Sequence, residues 1–398
     1  MSDADGRART AGPGTAEPGT AGQVIGWSED GSGRRARWRS ESAPPPRRTV
    51  VADDTTRADE AYRLACEGTA LLWRGDFQNA RQLLTAMARR ADRTPRRAER
   101  RKRKEEPSQV QAFHLYRQAR AQRARTLGML LIPVGPGHEI PLRRAPDVRE
   151  ACTEAFGPDD EPYVTSLREL LGVIGAHEWR RKGVPIAALG GDHVHPHYGV
   201  FSPVRGEYVD LVAEAPLPAT TTAFDIGTGT GVLAAVLARR GVERIVATDQ
   251  DPRALACAQE NVERLGVGDK VEVVQTDLFP AGRAGLIVCN PPWVPARPSS
   301  PLEHAVYDPD GRMLRGFLDG LAGHLEPGGE GWLILSDLAE HLGLRSRDDL
   351  LGAFGAAGLE VAGRLDTTPV HPRAADPDDP LHAARAAEVT SLWRLKVA

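Results

Sequence analysis

The stretch Phe224-Asp225-Ile226-Gly227-Thr228-Gly229-Thr230-Gly231 joins a β-prone run to a helix-like one that begins at Leu233. Glycines at such a junction let the backbone turn tightly and approach a ligand closely. A lone glycine loop is weak, because it can hold a dinucleotide, a phosphate or nothing. Two details narrow it. The spacing is G-x-G-x-G, whereas dinucleotide sites use G-x-G-x-x-G. Asp225 stands two residues before the first glycine, where a carboxylate repels a pyrophosphate and suits the ammonium of a methionine moiety.

Outward from this loop, strand-like and helix-like runs alternate. Thr222–Asp225, Arg244–Asp249, Lys270–Asp277, Gly285–Cys289 and Trp332–Ser336 read as strands. Leu233–Arg240, Pro252–Leu265, Met313–Leu325 and Ser346–Ala357 read as helices. This alternation predicts an α/β fold, a parallel sheet with helices on both faces. Leu359–Leu365 and Thr390–Val397 have no long helix between them, which predicts an antiparallel strand pair at the end of a mostly parallel seven-stranded sheet.

Three further positions fall at predicted strand ends, where open α/β sheets bind ligands. Asp249 lies 18 residues beyond Gly231 and suits a bidentate contact with two ribose hydroxyls. Asp277 offers an acceptor for an adenine amino group, with Leu278 or Phe279 beside the ring. Singly, each acid reads as a turn or helix-capping residue. Together with Asp225 they converge on one crevice. The fourth position is Ile287-Val288-Cys289-Asn290-Pro291-Pro292-Trp293. The proline pair stops the strand and sets the backbone direction. Asn290 then offers a side-chain acceptor, Pro291 a free carbonyl, and Trp293 a face for a planar group. Two acceptors on the N–H bonds of a planar nitrogen favour its pyramidal form and aim its lone pair. The plain alternative is a strand exit stabilised by prolines.

These motifs resemble class I S-adenosylmethionine-dependent methyltransferases, and among them the methyltransferase small domain group. That group contains release-factor glutamine, ribosomal-RNA guanine-N2 and N6-adenine methyltransferases. The stretch Asp249-Gln250-Asp251-Pro252-Arg253-Ala254, Glu260-Asn261, Asp277-Leu278-Phe279 and Asn290-Pro291-Pro292-Trp293 is especially similar to the glutamine type. The resemblance covers roughly Tyr198 to Ala398. It implies a Rossmann-like fold, S-adenosyl-L-methionine as cofactor, and transfer of its methyl group to nitrogen. It implies Asp225, Gly227, Gly229, Gly231, Asp249, Gln250, Asp277, Leu278 and Asn290 as cofactor residues. Asn290, Pro291, Pro292 and Trp293 become the catalytic segment. Phe201 to Glu207 would precede the core, beside cofactor and substrate. Two departures leave the acceptor open: Trp293 stands where the glutamine enzymes carry Tyr, and Tyr307-Asp308-Pro309 where they carry Glu-Pro. The acceptor is a base amino group in RNA or DNA, or a glutamine amide of a translation protein. A small-molecule methyltransferase and an RNA-binding protein with a vestigial fold are the alternatives. A nicotinamide-dependent oxidoreductase gives no reason for Asn290 to Trp293.

Upstream, the reading is less regular. Residues 1–58, rich in Gly, Pro, Ala, Ser and Arg, are expected to form a disordered tail, with Trp27 and Trp38 among its arginines. Residues 59–192 are expected to be mainly helical, and 193–398 to form the methyltransferase domain. Leu64, Leu71, Leu72, Phe77, Leu83, Leu84 and Met87 recur at helical spacing, with a break at Gly75-Asp76. From Arg89 to Lys104, ten Arg or Lys face only Asp92 and Glu99. Such a run is either a phosphate-binding surface or an exposed charged linker. A helix over Ser108–Leu127, a strand over Met129–Val134 and a helix over Ser166–His177 follow. His193, His195 and His197 suggest a metal, but Pro196 holds them extended and no further ligand stands at defined spacing, so none is assigned.

The net charge of −3 excludes a polybasic protein as a whole. The four cysteines form no C-x-x-C pair. The N-terminus lacks a secretory h-region, and no run reaches the roughly 18 apolar residues that span a bilayer. A cytoplasmic monomer without membrane contact is expected.

Overall fold

The computed structural model describes residues 23–102, 108–204, 206–298, 303, 305–369, 376–377 and 379–398, without the side chains of 93–102. Its N-terminal part holds β1 (Val24–Glu29), β2 (Ser32–Trp38), β3 (Arg48–Ala52), α1 (Ala58–Cys66), β4 (Thr69–Trp73), α2 (Phe77–Lys102), α3 (Gln109–Leu127), β5 (Leu130–Val134), α4 (Arg149–Phe156), β6 (Tyr163–Ser166) and α5 (Leu167–Lys182). The strands form one mixed sheet in the order β1-β2-β6-β5-β4-β3. β1 with β2 and β5 with β6 run antiparallel; the other pairs are parallel. The edge strands β1 and β3 approach each other, so the sheet is nearly closed. Arg74, just past β4, clasps Glu29 at the end of β1 at 2.8 Å. One face packs Ile25, Trp38, Ala70, Leu72, Leu131 and Val164 together. The other, with Leu71, Trp73, Leu130 and Ile132, lies under α1, α2, α4 and α5.

This sheet corrects two expectations. The region 59–192 is not mainly helical: it supplies β4, β5 and β6. Within the stretch expected to be a disordered tail, residues 24–52 form three strands, and Trp38 is only 4% exposed; residues 1–22 lie outside the described residues. The overlooked signal is Asp30-Gly31, a two-residue hairpin turn with φ of 52° and 74°. Leu71 and Leu72 belong to a strand, not a helix. All five residues of β4 are buried, and a short apolar run has no period to separate strand from helix. α3 begins as read, on a capping box between Ser108 and Gln111.

A short connection of β7 (Val184–Pro185), β8 (His193–Val194) and α6 (Glu207–Glu214) leads to the second sheet. There β9 (Thr222–Ile226), α7 (Val232–Arg239), β10 (Arg244–Asp249), α8 (Pro252–Arg264), β11 (Val271–Gln275), β12 (Ala284–Cys289), α9 (Arg312–His324), β13 (Leu325–Ser336), α10 (Leu338–His341), α11 (Arg347–Ala356), β14 (Leu359–Thr367), α12 (His382–Ala386) and β15 (Thr390–Val397) follow. The seven strands lie in the order β11-β10-β9-β12-β13-β15-β14. β11 to β13 are parallel to one another, and β15 runs antiparallel between β13 and β14. All seven strands fall on the stretches the sequence placed, although β13 begins at Leu325, seven residues before the expected Trp332. α6 and α7 bury one face, with Val212, Ala235 and Val236; α9 and α11 bury the other, with Phe317, Leu321 and Phe354. Among the described residues no helix is long and apolar enough to cross a membrane.

Candidate active site

Strand order reverses between β9 and β12, and the carboxyl ends on either side of that point border a crevice. The register sets the heights along this edge. Thr248 pairs with Ile226, Ile226 with Cys289, and Asp249 with Gln275. One residue further on, Asn290, Gly227, Asp249 and Gln275 therefore stand level in a single row.

The glycine loop is pinned to β10. The N–H groups of Gly227 and Thr228 both donate to the Thr248 carbonyl, at 2.9 and 2.8 Å. Gly227, Gly229 and Gly231 all have positive φ, where a side chain is strained. A Cβ at Gly229 would meet nothing within 4 Å, so the loop presents bare backbone to open space there. Asp225 lies beneath the loop, 1% exposed. Its carboxylate accepts from Thr228 Oγ1 at 2.6 Å and from the Ala234 N–H at 3.1 Å, bracing the turn from below. Burial raises its pKa to about 6, partly offset by those two hydrogen bonds.

The Asp249 carboxylate sits in the row itself. One oxygen accepts from the Gly229 N–H at 3.1 Å and the other from the Asp251 N–H at 3.0 Å. Each oxygen keeps a lone pair for a hydroxyl. Burial raises its pKa despite those backbone bonds. Gln250 is exposed beside it, its carbonyl accepting from Gln275 Nε2 at 3.3 Å. Asp277 is exposed past β11 and pairs with Arg312 at 2.6 Å. Leu278 takes φ of 70°, and its carbonyl accepts from Thr248 Oγ1 at 2.7 Å. Phe279 turns away from the row. Its ring stacks on Phe317 and on His324, at centroid distances of 5.9 and 4.3 Å, so it anchors α9.

Asn290 and Pro291 leave β12 into the crevice edge. The indole N–H of Trp293 donates to Asn290 Oδ1 at 2.9 Å. Behind them Asp308, 5% exposed, accepts from the N–H groups of Met313 and Leu314 at 3.1 Å each and so fastens the start of α9. The segment after Trp293 packs on the N-terminal half: Val294 shares an apolar cluster with Phe113 of α3, and the Arg117 guanidinium lies 4.0 Å from the Tyr307 ring.

Comparison with known proteins bears on residues 193–357, which match the methyltransferase small domain. That segment, rather than the whole chain, carries the likeness to this class I S-adenosylmethionine-dependent group. A release factor glutamine methyltransferase of Cereibacter sphaeroides is 35% identical over 176 residues, covering 41% of this chain and 62% of that protein. A ribosomal protein L11 methyltransferase of Pelotomaculum thermopropionicum is 40% identical over 146 residues, 36% of this chain and 39% of that one. The chain thus spans less than two thirds of either relative's length. A solved S-adenosylmethionine-dependent methyltransferase from Geobacter sulfurreducens, in complex with S-adenosyl-L-homocysteine, is 20% identical, covers 53% of this chain and 96% of that one, and superposes with a TM-score of 0.34.

Besides Val294, further contacts join residues 193–357 to the N-terminal half. Arg253, in the first turn of α8, forms a bidentate ion pair with Glu41 of the β2–β3 loop, one arm at 2.8 Å. That loop is held in turn by Glu169, which accepts from Ser40 Oγ at 2.5 Å and from the Glu41 N–H at 2.8 Å. Arg180 of α5 forms another joint. Its carbonyl lies 2.6 Å from His195 Nδ1 and its guanidinium 2.6 Å from Glu260, which His197 Nε2 of the same domain also meets at 2.7 Å. Of the basic run, Arg90 pairs with Asp59 at 2.6 Å, while the side chains of 93–104 lie outside the described residues. Sequence reasoning missed Thr228, Thr248 and Asp308. Only Asp308 carried a signal, an Asp-Pro shortly before a helix.

Proposed function

We propose that the chain is an S-adenosylmethionine-dependent N-methyltransferase whose acceptor is a planar nitrogen. The observation that carries this reading is the row in which Asn290 stands level with Gly227 and Asp249. The chain's own residues fit the cofactor: a glycine loop open above Gly229, and a half-buried carboxylate at Asp249 with lone pairs to spare. In this reading Asp249 takes the ribose hydroxyls, Gln250, Asp277 and Leu278 border the adenine, and Asp225 keeps the loop in shape for the methionine end. When bound, S-adenosylmethionine supplies an electrophilic methyl group. Asn290 Oδ1 and the Pro291 carbonyl grip the N–H bonds of the acceptor, and Trp293 supports its plane beside Pro292. Such orientation alone can supply several kcal/mol of the barrier, up to roughly 7–11 for an ideal arrangement.

The acceptor belongs, in this reading, to the translation machinery, as a protein amide or a base amino group. The two relatives are named for a release factor and for ribosomal protein L11, which supports that setting. The test is incubation with methyl-labelled cofactor and whole-cell extract, followed by nuclease or protease. Label in macromolecular nitrogen supports the proposal. Label on carbon or oxygen, or no transfer by a protein that binds the cofactor, overturns it.

A further inference from the structure

α9 meets the loop after β11 in steps of four. Arg312 pairs with Asp277 at 2.6 Å, Leu278 lies in the notch at Gly316, and the Phe279 ring lies in the notch at Gly320. Positions four apart stand above one another on one face of a helix, so three successive loop residues run along a single line of it. The line is anchored at both ends. Asp308 holds the N–H groups of Met313 and Leu314 where α9 begins, and Phe279 stacks on Phe317 and His324 further along. In the first turn the methyl end of Met313 also covers Gly227, where an added Cβ would strike it. One helix thus touches both the glycine loop and the loop that carries Asp277.

The middle contact costs something on both sides. Glycine is the poorest helix former after proline, and Gly316 stands in the interior of α9. A Cβ there would lie 2.6 Å from Leu278 Cδ1, so the missing side chain is what admits Leu278. Leu278 in turn has φ of 70°, a conformation that residues with a side chain seldom take. Such a conformation persists where surrounding contacts over-determine it. Two contacts do so here. Thr248 Oγ1 donates to the Leu278 carbonyl at 2.7 Å, and the side chain fills the Gly316 notch. Leu278 is therefore the pivot between Asp277, exposed past β11, and Phe279, packed on α9. Gly323, in the last turn of the same helix, is different: an added Cβ there meets nothing within 4 Å.

We propose that Gly316 is a positioning residue for the cofactor: by seating Leu278 it fixes the left-handed turn that aims Asp277 at the adenine. That purpose rests on the methyltransferase reading above, in which Asp277 and Leu278 border the adenine. The test is calorimetry on the full chain with two ligands, S-adenosylhomocysteine and S-inosylhomocysteine, in which a carbonyl replaces the adenine amino group. In Gly316→Ala the displaced Leu278 should carry Asp277 with it. Affinity for S-adenosylhomocysteine should fall roughly tenfold, the worth of one hydrogen bond to a charged group. Affinity for S-inosylhomocysteine should fall much less, so the preference for the amino ligand narrows. Tm should hold or rise, because alanine is the better helix former. Gly323→Ala should change neither affinity. Leu278→Ala removes the side chain that needs the notch, so adding Gly316→Ala to it should cost no further affinity. That pair also serves should Gly316→Ala alone fail to fold, and a further loss in it overturns the proposal. So does unchanged affinity for S-adenosylhomocysteine in folded Gly316→Ala. Equal losses for both ligands, or a lower Tm with the preference intact, mark a merely structural glycine and overturn it as well. A wild-type chain that binds neither ligand overturns the methyltransferase reading and this proposal with it. Binding by the wild type beside an unaffected Gly316→Ala overturns this proposal alone.

Discussion

Trp293 donates its indole N–H to Oδ1 of Asn290 across 2.9 Å, three residues back along the same chain. Only the amide oxygen can accept that proton, so the bond decides which way the Asn290 amide faces. It leaves one Oδ1 lone pair for an acceptor N–H. In the proposed reading Trp293 is thus a positioning residue as well as a face. Trp293→Phe should keep the face and lose the restraint. Turnover should fall roughly 2- to 10-fold, the worth of one neutral hydrogen bond. The Michaelis constant for the acceptor should move less than in Trp293→Ala. Steady-state kinetics checks this, and equal kcat in Trp293→Phe and wild type would show the bond to be incidental.

In the proposed reading Asn290→Ala removes the gripping acceptor itself. Its hydrogen bond strengthens as the nitrogen pyramidalises, so the loss falls on the transition state. The expected cost is on the order of 10²–10³ in rate, with S-adenosylhomocysteine affinity nearly unchanged by calorimetry. Near wild-type turnover would reduce the Asn290–Trp293 segment to a strand exit.

Asp249→Ala should show the opposite pattern. It removes an ionised acceptor that also holds the Gly229 N–H. Cofactor binding should weaken by about 1.5–3 kcal/mol, roughly 10- to 150-fold. Isothermal titration with S-adenosylhomocysteine reads it directly, and tight binding to the variant would remove Asp249 from the site.

Asp225 makes folding stability depend on pH. Burial raises its pKa from 3.8 to about 6 in the folded chain. The folded state therefore holds the proton more tightly than the unfolded one. Its contribution is full below about pH 4 and is lost as pH rises through about 6, by about 3 kcal/mol in all. Asp225→Asn carries no titrating group and should flatten that part of the profile. Denaturant melts at pH 4 to 7 would show it; an unchanged slope in the variant would assign the titration elsewhere.

Gly231 separates two kinds of glycine. Its φ is 79°, and an added Cβ would lie 3.2 Å from Ala258 Cα, a backbone atom that cannot swing aside. Gly241 has φ of 97° with open space around it. Gly231→Ala should lower Tm by more than Gly241→Ala, which bears backbone strain alone, about 1–3 kcal/mol. Thermal melts of the two, side by side, test this, and an equal loss would remove the packing argument.

The second sheet was legible because its strands and helices alternate with distinct periods, and because chemistry-bearing residues sit where strands end. Asn290 was visible for the same reason. What the sequence concealed was partnership. Nothing in the spacing shows that Asp225 is consumed in bracing its own loop, or that Phe279 turns toward α9. The first sheet was concealed for another reason. Its strands are short, β2 carries Arg34, Arg35 and Arg37 and is largely exposed, and β4 is buried throughout, so neither shows the alternation of a half-buried strand. Composition outweighed the one local cue, Asp30-Gly31.

The joint between Glu41 and Arg253 bears on whether the catalytic half is portable. Arg253 stands in the first turn of α8, four residues after Asp249, and its charge is answered from the other half of the chain. Val294, four residues after Asn290, is covered in part by Phe113 of that same half. Severed near residue 193, the C-terminal piece would carry an unanswered guanidinium and a bare apolar patch beside the positions proposed to do the chemistry. A domain whose working edge is finished by its neighbour cannot be lifted out and grafted elsewhere. Fusion here is a condition of the site's architecture, and exchange of the N-terminal half would have to preserve both contacts to preserve the enzyme.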